Sequence, residues 1–502
     1  MLFKLSVSLI WFFLNLKLFL FWLWLWQLKE YHRGRFRAHF ETQGIKKFLV
    51  SFYRFRYPKF TKKVVLIFGT GIFLEVFFLS FIFSLPEKIF CLAIFFSLIL
   101  SPLIFSLLIL FFQLPTFLFR KVILLKAEKK IVQFKKKGGV VIGITGSYGK
   151  SSTKEFLAEI LSAKFNILKT EKNVNAEIGI AKTVLEKLKP DHEVFIAEIG
   201  AYERGKIKEV CQVIKPKIGI LTGINQQHLS TFGSQENIVK GKFELIESLN
   251  KEGIGILNWD NDFIKNYFQR NKGKFKAGKI IKCSFFKNKK EEVDFWVENF
   301  EIDKEYLLFQ VFSKNSRKNN EKKNNFKVNL LGKQNVTNIL LAIACAKELG
   351  MSFQEIASAC LKINSNQGGI KFLKKDKPVI LDSSYSANPD GVLADLDYLK
   401  NYKGRKIVVM PCLIELGRAA GSIHREIGRK IGEVCDLAII TTNDYFKEIK
   451  KGAAETGMKG ENILFIKNPD EIISRIKSCE INSVILLEGR IPRKIIDLLC
   501  DK

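Results

Sequence analysis

The sequence predicts an α/β fold preceded by transmembrane helices, and three observations carry that reading. Up to Phe119 the chain holds three apolar stretches long enough to cross a bilayer. From Val140 onward, short apolar strands alternate with amphipathic helices, the pattern of an α/β chain. The first of these strand-to-helix junctions, "VVIGITGSYGKSS", is a glycine loop that ends in Lys-Ser.

The apolar stretches are Leu5–Leu28, Val64–Leu85 and Ile89–Phe119. The last is broken by Pro102 and Pro115, and the second carries one charge, Glu75. A run of about 20 apolar residues spans a bilayer, whereas a buried soluble helix is rarely so long. No small-residue cleavage site follows the first stretch, which argues against a signal peptide. The segment Lys29–Lys63 is strongly basic, and so is the chain after Phe119, with Arg120, Lys121, Lys126, Lys129, Lys130 and three lysines at 135–137. Positive segments stay in the cytoplasm. The expected arrangement is a multi-pass protein of the cytoplasmic membrane, N-terminus outside and catalytic domains in the cytoplasm. Glu75 is a candidate functional residue or an oddity of a packing face; both readings stand.

The formal charge of +31 suggests nucleic acid or an anionic surface. The excess is mostly lysine spread through every region, with no zinc-finger spacing, basic zipper or aromatic RNA-binding signature, so no specific nucleic-acid partner is expected. The nine cysteines are scattered without a C-x-x-C pair, which excludes a clustered zinc site and a disulfide framework and leaves reduced thiols.

The glycine loop carries the chemistry. The common phosphate loop reads G-x-x-x-x-G-K-[ST]; here the usable glycines, Gly146 and Gly149, stand closer together. Such a loop lets backbone N–H groups approach a phosphate at a helix N-terminus. Lys150 would neutralise the β- and γ-phosphates and the Ser151 hydroxyl would ligate Mg²⁺. Phe156, Leu157, Ile160 and Leu161 give the following helix one apolar face. "EVFIAEIG" is a strand ending in Glu198, where ligands bind in open α/β sheets, although a solvated strand-end charge reads the same way. His228 follows another strand, and a lone histidine is more often structural. The next helix is capped by Ser234 and places Lys242 in an apolar stripe with Ile238, Leu245 and Leu249. A lysine there must snorkel, be paired or lose its charge.

At this point the residues resemble the Mur ligases, ATP-dependent ligases of cell-wall precursor synthesis. That family uses the compressed loop T-G-x-x-G-K-[ST]-[ST], matched by "TGSYGKSS". Within it, the branch that adds D-alanyl-D-alanine to a muramoyl tripeptide is matched by "TEKNVNAEIG" (Thr170–Gly179), "IGAYERGKIKEV", "HLSTFGS", "LLGKQNVTNILLAIACAKELG", "LDSSYSANP" and "IELG…HREIG". The resemblance implies a membrane region at 1–138, a central ATP-binding domain with the phosphate loop at 139–365, and a Rossmann-like C-terminal domain at 366–502. A hinge is expected in "NSNQGG", Asn364–Gly369.

The resemblance also implies the reaction: an acyl phosphate made from ATP and attacked by an amine. ATP would lie on Thr145, Gly146, Ser147, Gly149, Lys150, Ser151 and Ser152, with Asn335 and Asn338 beside the adenine and Asp382 near the ribose. Ser151 and Glu198 would hold one Mg²⁺; His228 and a carbamylated Lys242 would hold a second. Lys242 lies fourteen residues after His228, as in the matching branch. Lys150, Glu198, His228 and Lys242 are the implied catalytic set. Thr170, Asn173, Asn175, Tyr385 and Asn388 would line the substrate side. The substrates would be a dipeptide and a UDP-linked or lipid-linked muramoyl peptide, and the chain is expected to act as a monomer.

The chain departs from the family pattern at several points. The membrane spans stand where the UDP-sugar domain is expected. Ala176 replaces a usual Asn, Gln334 a usual His and Ser383 a usual Asp; Gly369-Ile370 lacks an Arg, Pro411-Cys412 replaces a glycine-aspartate pair, and "LLEGRIPRK" replaces a K-G-S-R ending. "SKNSRKNNEKKNNFK" (313–327) reads as a solvated insertion. A membrane-anchored polyglutamate-type synthetase, a transport ATPase and a degenerate ligase acting as a scaffold are the competing readings. The topology is testable. Cysteines introduced within Lys29–Lys63 should resist a membrane-impermeant thiol reagent in intact cells, and modification from outside would overturn the arrangement.

Overall fold

A computed structural model describes residues 1–29, 31, 36, 56–171, 174–285, 292–303, 306–314, 324–364, 369–375, 378–384, 388–477 and 482–499. It divides into two compact units, Met1–Ile123 and Leu124–Lys502.

The first unit is built on helices Leu2–Leu28, Lys62–Phe83 and Glu87–Phe111. Three candidate membrane spans are long and apolar enough to cross a bilayer, the third running over Glu87–Lys136. Lipid gives apolar helices little reason to associate, so small and polar residues must hold them. Trp11 Nε1 donates to Ser97 Oγ at 2.9 Å, Ser101 Oγ to Asn15 Oδ1 at 2.6 Å, and Trp22 Nε1 to Ser106 Oγ at 2.7 Å. These rungs join the first and third helices at successive turns. Gly71 admits the second helix, because a Cβ there would meet the Phe19 ring at 2.1 Å. Glu75 is buried, and neither carboxylate oxygen has a hydrogen-bond partner among the described residues.

The expected break at Pro102 is not found: the helix runs through it. The missing N–H costs one i→i−4 bond, which membrane helices tolerate. The break comes at Phe112–Gln113, and Pro115 sits in the first turn of the helix Leu114–Lys136, where its lost donor would be unsatisfied in any case.

In the second unit, nine described strands form one sheet: β1 Val140–Thr145, β2 Ile167–Lys169, β3 Val194–Glu198, β4 Ile218–Leu221, β5 Ile254–Asn258, β6 Lys279–Ser284, β7 Phe295–Ile302, β8 Leu307–Ser313 and β9 Asn324–Val328, in the order β2-β3-β1-β4-β5-β6-β7-β8-β9. Pairing is parallel as far as β7 and antiparallel from β7 to β9. The central strands β1, β3, β4 and β5 are buried almost end to end, as parallel strands covered on both faces are. Phe156, Leu157, Ile160 and Leu161 are fully buried against the sheet, as their spacing predicts. The proposed insertion begins and ends in β8 and β9, and residues 315–323 within it lie outside the described residues.

Six further strands form a second mixed sheet: β10 Lys371–Lys374, β11 Val379–Ser383, β12 Arg405–Met410, β13 Leu437–Ile440, β14 Ile463–Phe465 and β15 Ser483–Glu488, ordered β10-β11-β15-β12-β13-β14. β10 is antiparallel to β11, and the other pairings are parallel. Cys211, Cys283, Cys345, Cys360, Cys412 and Cys435 are buried free thiols and Cys91 is exposed; Cys479 and Cys500 lie outside the described residues.

This topology places the site. From β1 the chain turns to one side, towards β2 and β3, and then crosses to β4 on the other. The carboxyl ends of β1, β3 and β4 therefore flank a crevice of the kind that binds ligands in open sheets.

Candidate active site

β1 ends in Thr145, whose hydroxyl donates to Ile199 O at 2.8 Å and ties the loop to the end of β3. The next residue has no room for a side chain: a Cβ on Gly146 would meet Thr222 Oγ1 at 2.2 Å. Gly149 has φ +76°, and a Cβ there would meet Asn338 Oδ1 at 2.4 Å. Both glycines are thus demanded by close approach. Between them, Ser147 N donates to Gly223 O at 2.6 Å, while Ser147 Oγ is buried with no partner among the described residues. Lys150 opens the helix Lys150–Ser162 and curls back on the loop, its Nζ 2.9 Å from Gly146 O and 3.1 Å from Ser147 O. Removal from water pulls its pKa below the ordinary lysine value, with Glu198 acting in the opposite sense. Ser152 stands half-buried in the same first turn.

Glu198, at the end of β3, gathers four side chains. Its Oε2 accepts from Ser151 Oγ at 2.9 Å and from Lys154 Nζ at 3.3 Å; its Oε1 accepts from Asn175 Nδ2 at 3.1 Å. Its backbone N donates to Thr170 Oγ1 at 3.0 Å. Ser151, Glu198, Thr170 and Asn175 are therefore assembled in one place, while Asn173 and Tyr385 lie outside the described residues. Sequence reasoning missed Lys154, which is fully buried and also pairs with Glu155 at 3.2 Å. Its signal was available: it follows Lys150 by one helical turn, on a face otherwise apolar.

The second cluster is on the other side of the loop. His228 is a non-glycine residue at φ +66°, with Tyr202 edge-on at 4.7 Å. Its Nδ1 lies 2.6 Å from Glu415 Oε2, on the C-terminal side of the unit. Burial lowers the imidazole pKa and the charges of Lys242 and Lys150 push the same way, against Glu415. Lys242 is 2% exposed on the helix Gln235–Glu247, its Nζ 3.4 Å from Ala201 O and 5.5 Å from the centre of the Phe232 ring. Burial, and then the Lys150 charge, bring its pKa down to about 7, with Glu244 opposing.

A cleft of about 990 Å³ opens between the two sheets, lined among others by Tyr148, Asn225, Asn261, Lys333, Asn338 and Asp390. Asn338 also receives Thr153 Oγ1 at 3.4 Å. Asn335 donates to Leu331 O at 2.7 Å beneath Gly369. Asp382 accepts from Ser384 N at 2.8 Å. Asn388 caps the helix Pro389–Leu399, and Asn225 Nδ2 bridges to its Oδ1 at 3.3 Å and to Asp390 Oδ2 at 2.5 Å. Among the described residues, no cluster of three or more His, Cys, Asp or Glu side chains could hold a metal ion.

Against known families, residues 144–346 match the Mur ligase middle domain and residues 370–491 the "Mur ligase, glutamate ligase domain". A UDP-N-acetylmuramoyl-tripeptide--D-alanyl-D-alanine ligase of Buchnera aphidicola subsp. Baizongia pistaciae is 30% identical over 69% of this chain and 71% of its own length. The chain belongs to the Mur ligase family. The like-named protein of Synechocystis sp. is 33% identical over 58% of this chain, which spans only 59% of that relative. Among solved structures of the fold, MurF from Acinetobacter baumannii superposes with a TM-score of 0.66 at 24% identity, covering 76% of this chain and 81% of that one. The MurF ligase of Thermotoga maritima in complex with ADP gives 0.61 at 21%, covering 76% and 83%.

Three departures from the Mur ligase pattern meet at one point. Asp395, buried on the helix Pro389–Leu399, accepts from Gln334 Nε2 at 2.7 Å and from the Ser383 hydroxyl. Glu488, in the "LLEGRIPRK" stretch that stands in place of the K-G-S-R ending, is buried against it. Two buried carboxylates repel, and one proton between them supplies the missing hydrogen bond. Burial raises Asp395 to about 6, and burial together with the Asp395 charge raises Glu488 well above the carboxylate range. Both groups hold protons more tightly folded than unfolded. Their contribution is thus complete at low pH and is lost as pH rises above the ordinary carboxylate range, for Asp395 through about 6 and for Glu488 at higher pH. Glu488→Gln should raise the melting temperature at pH 8 and flatten its fall between pH 4 and 8. Thermal unfolding with the wild-type pH slope would contradict the shared proton.

Proposed function

We propose that this chain is an ATP-dependent amide-bond ligase of cell-wall precursor synthesis that joins D-alanyl-D-alanine to a muramoyl tripeptide. The observation that carries this reading is the glycine loop with Lys150, joined through Ser151 to Glu198. Its relatives bear the name of that activity, and the Thermotoga maritima neighbour was solved with ADP. The loop reads as a phosphate loop. The orphaned Ser147 hydroxyl and the open end of the helix Lys150–Ser162 supply donors suited to phosphate oxygens.

The acceptor carboxylate attacks the γ-phosphorus of ATP and ADP leaves, giving an acyl phosphate. The dipeptide amine then attacks the acyl carbon, loses a proton and expels phosphate. Lys150 exchanges the loop carbonyls for the phosphates and stabilises their charge. Thr170 and Asn175 orient the acceptor beside Glu198, while Asn338 and Asp382 face the nucleoside. Ser151 and Glu198 offer the oxygen donors a hard cation prefers, so the residues present fit Mg²⁺, which neutralises phosphate charge when bound. Lys242, buried and brought towards neutrality, fits carbamylation, and the resulting carbamate would join His228 as a second oxygen-and-nitrogen donor pair.

The reading extends to the rest of the chain: a membrane region at 1–138, a central domain at 139–365 and a Rossmann-like domain at 366–502. It acts as a monomer held at the cytoplasmic membrane by its apolar helices.

With ATP, D-alanyl-D-alanine and a muramoyl tripeptide, the wild-type chain should release phosphate and form the pentapeptide product. Lys150→Ala should lower turnover at least ~100-fold with an unchanged melting temperature. Wild-type turnover in that variant, or no product from the wild type, would sink the assignment. Lys242→Ala should also lose ligation, and a short carboxylate added in solution should partly restore it. A variant that stays inactive whatever carboxylate is added would exclude the carbamate.

A further inference from the structure

Glu415 lies on a segment that no part of the proposed reaction uses, between β12 and the helix Ala420–Val434. It is a non-glycine residue at φ +65°, and it faces His228, itself at φ +66°. Left-handed backbone at two such residues persists only where surrounding contacts over-determine it. Those contacts are present. Glu415 O receives Ser230 N at 3.5 Å and Ser230 Oγ at 3.4 Å, and a Cβ on Gly417 would come within 3.3 Å of Ser230 N. The two segments are thus pressed together backbone to backbone, and the shortest contact between them is Nδ1 to the carboxylate, 2.6 Å.

An ionised carboxylate can only accept, so this contact requires the proton on Nδ1 and leaves the lone pair on Nε2. A histidine that binds a metal or takes a proton is commonly held in its tautomer by such a partner. Here the partner sits 187 residues away, on the C-terminal side of the seam.

We propose that Glu415 is a positioning residue for His228: it fixes the tautomer that frees Nε2 for a ligand only when the C-terminal domain is docked on the central one. This rests on the reading of His228 as part of the ligase site. It makes that site incomplete without the C-terminal domain, so that docking and site assembly are one event.

The test uses the full chain in detergent with Mn²⁺ as probe and β,γ-imido-ATP as nucleotide, reading free Mn²⁺ by electron paramagnetic resonance. Glu415→Ala should weaken Mn²⁺ binding by about 10- to 100-fold, the range for a lost outer-shell partner. Glu415→Gln, whose amide oxygen still accepts from Nδ1, keeps the side-chain volume and should lose less. In the double variant His228→Ala/Glu415→Ala, binding should be no weaker than in His228→Ala alone, because Glu415 acts only through His228. A merely structural role would give losses that multiply. Multiplying losses, or Mn²⁺ binding untouched by either single substitution, would overturn the proposal. Because no turnover is measured, a chain that shows this coupling yet joins no amino acids would overturn the ligase reading and leave the clasp standing.

Discussion

The second unit is organised around one buried charge, the carboxylate of Glu198. At 2% exposure it cannot be hydrated, so protein donors must replace water. Lys154 and Ser151 from the start of one helix and Asn175 from a loop do so. The consequence is geometric. The start of the helix Lys150–Ser162, the loop before the helix Glu177–Lys187 and the end of β3 are held to a common point. The dependence runs both ways, because Lys154 is fully buried and Glu198 is one of the carboxylates that balance its charge. Breaking one partner of a buried pair generally costs about 3–5 kcal/mol, more than most single contacts contribute.

The seam between the two sheets is polar rather than apolar. Asn225 reaches Asp390, Gln334 reaches Asp395, and His228 reaches Glu415. Polar seams of this kind can separate and re-form without exposing a hydrophobic core. Where the chain departs from the Mur ligase pattern, Gln334, Ser383 and Glu488 depart together, around the same Asp395.

The first unit follows a different rule. Its helices are too uniformly apolar to recognise one another by hydrophobicity, and their register is set by rungs such as Trp11–Ser97 and Asn15–Ser101 and by the notch at Gly71. Single residues therefore decide packing that, in the second unit, is spread over a large core.

By itself the sequence determined whatever depends on neighbours along the chain. Apolar runs mark the three spans and the parallel strands, and helical spacing marks the buried faces of Lys150–Ser162 and Gln235–Glu247, Lys242 included. The glycines of the loop and the strand-end Glu198 were legible for the same reason, since a turn and a strand end are local events. What only the tertiary structure decided is which distant groups share a charge. Glu198 meets Ser151 across 47 residues and His228 meets Glu415 across 187. Asn335 faces Leu331 beneath Gly369, while its helix neighbour Asn338 faces the cleft. Periodicity tells which side of a helix is buried, but a buried charge takes its meaning from the partner opposite, and that partner is chosen by how the sheets and helices stack.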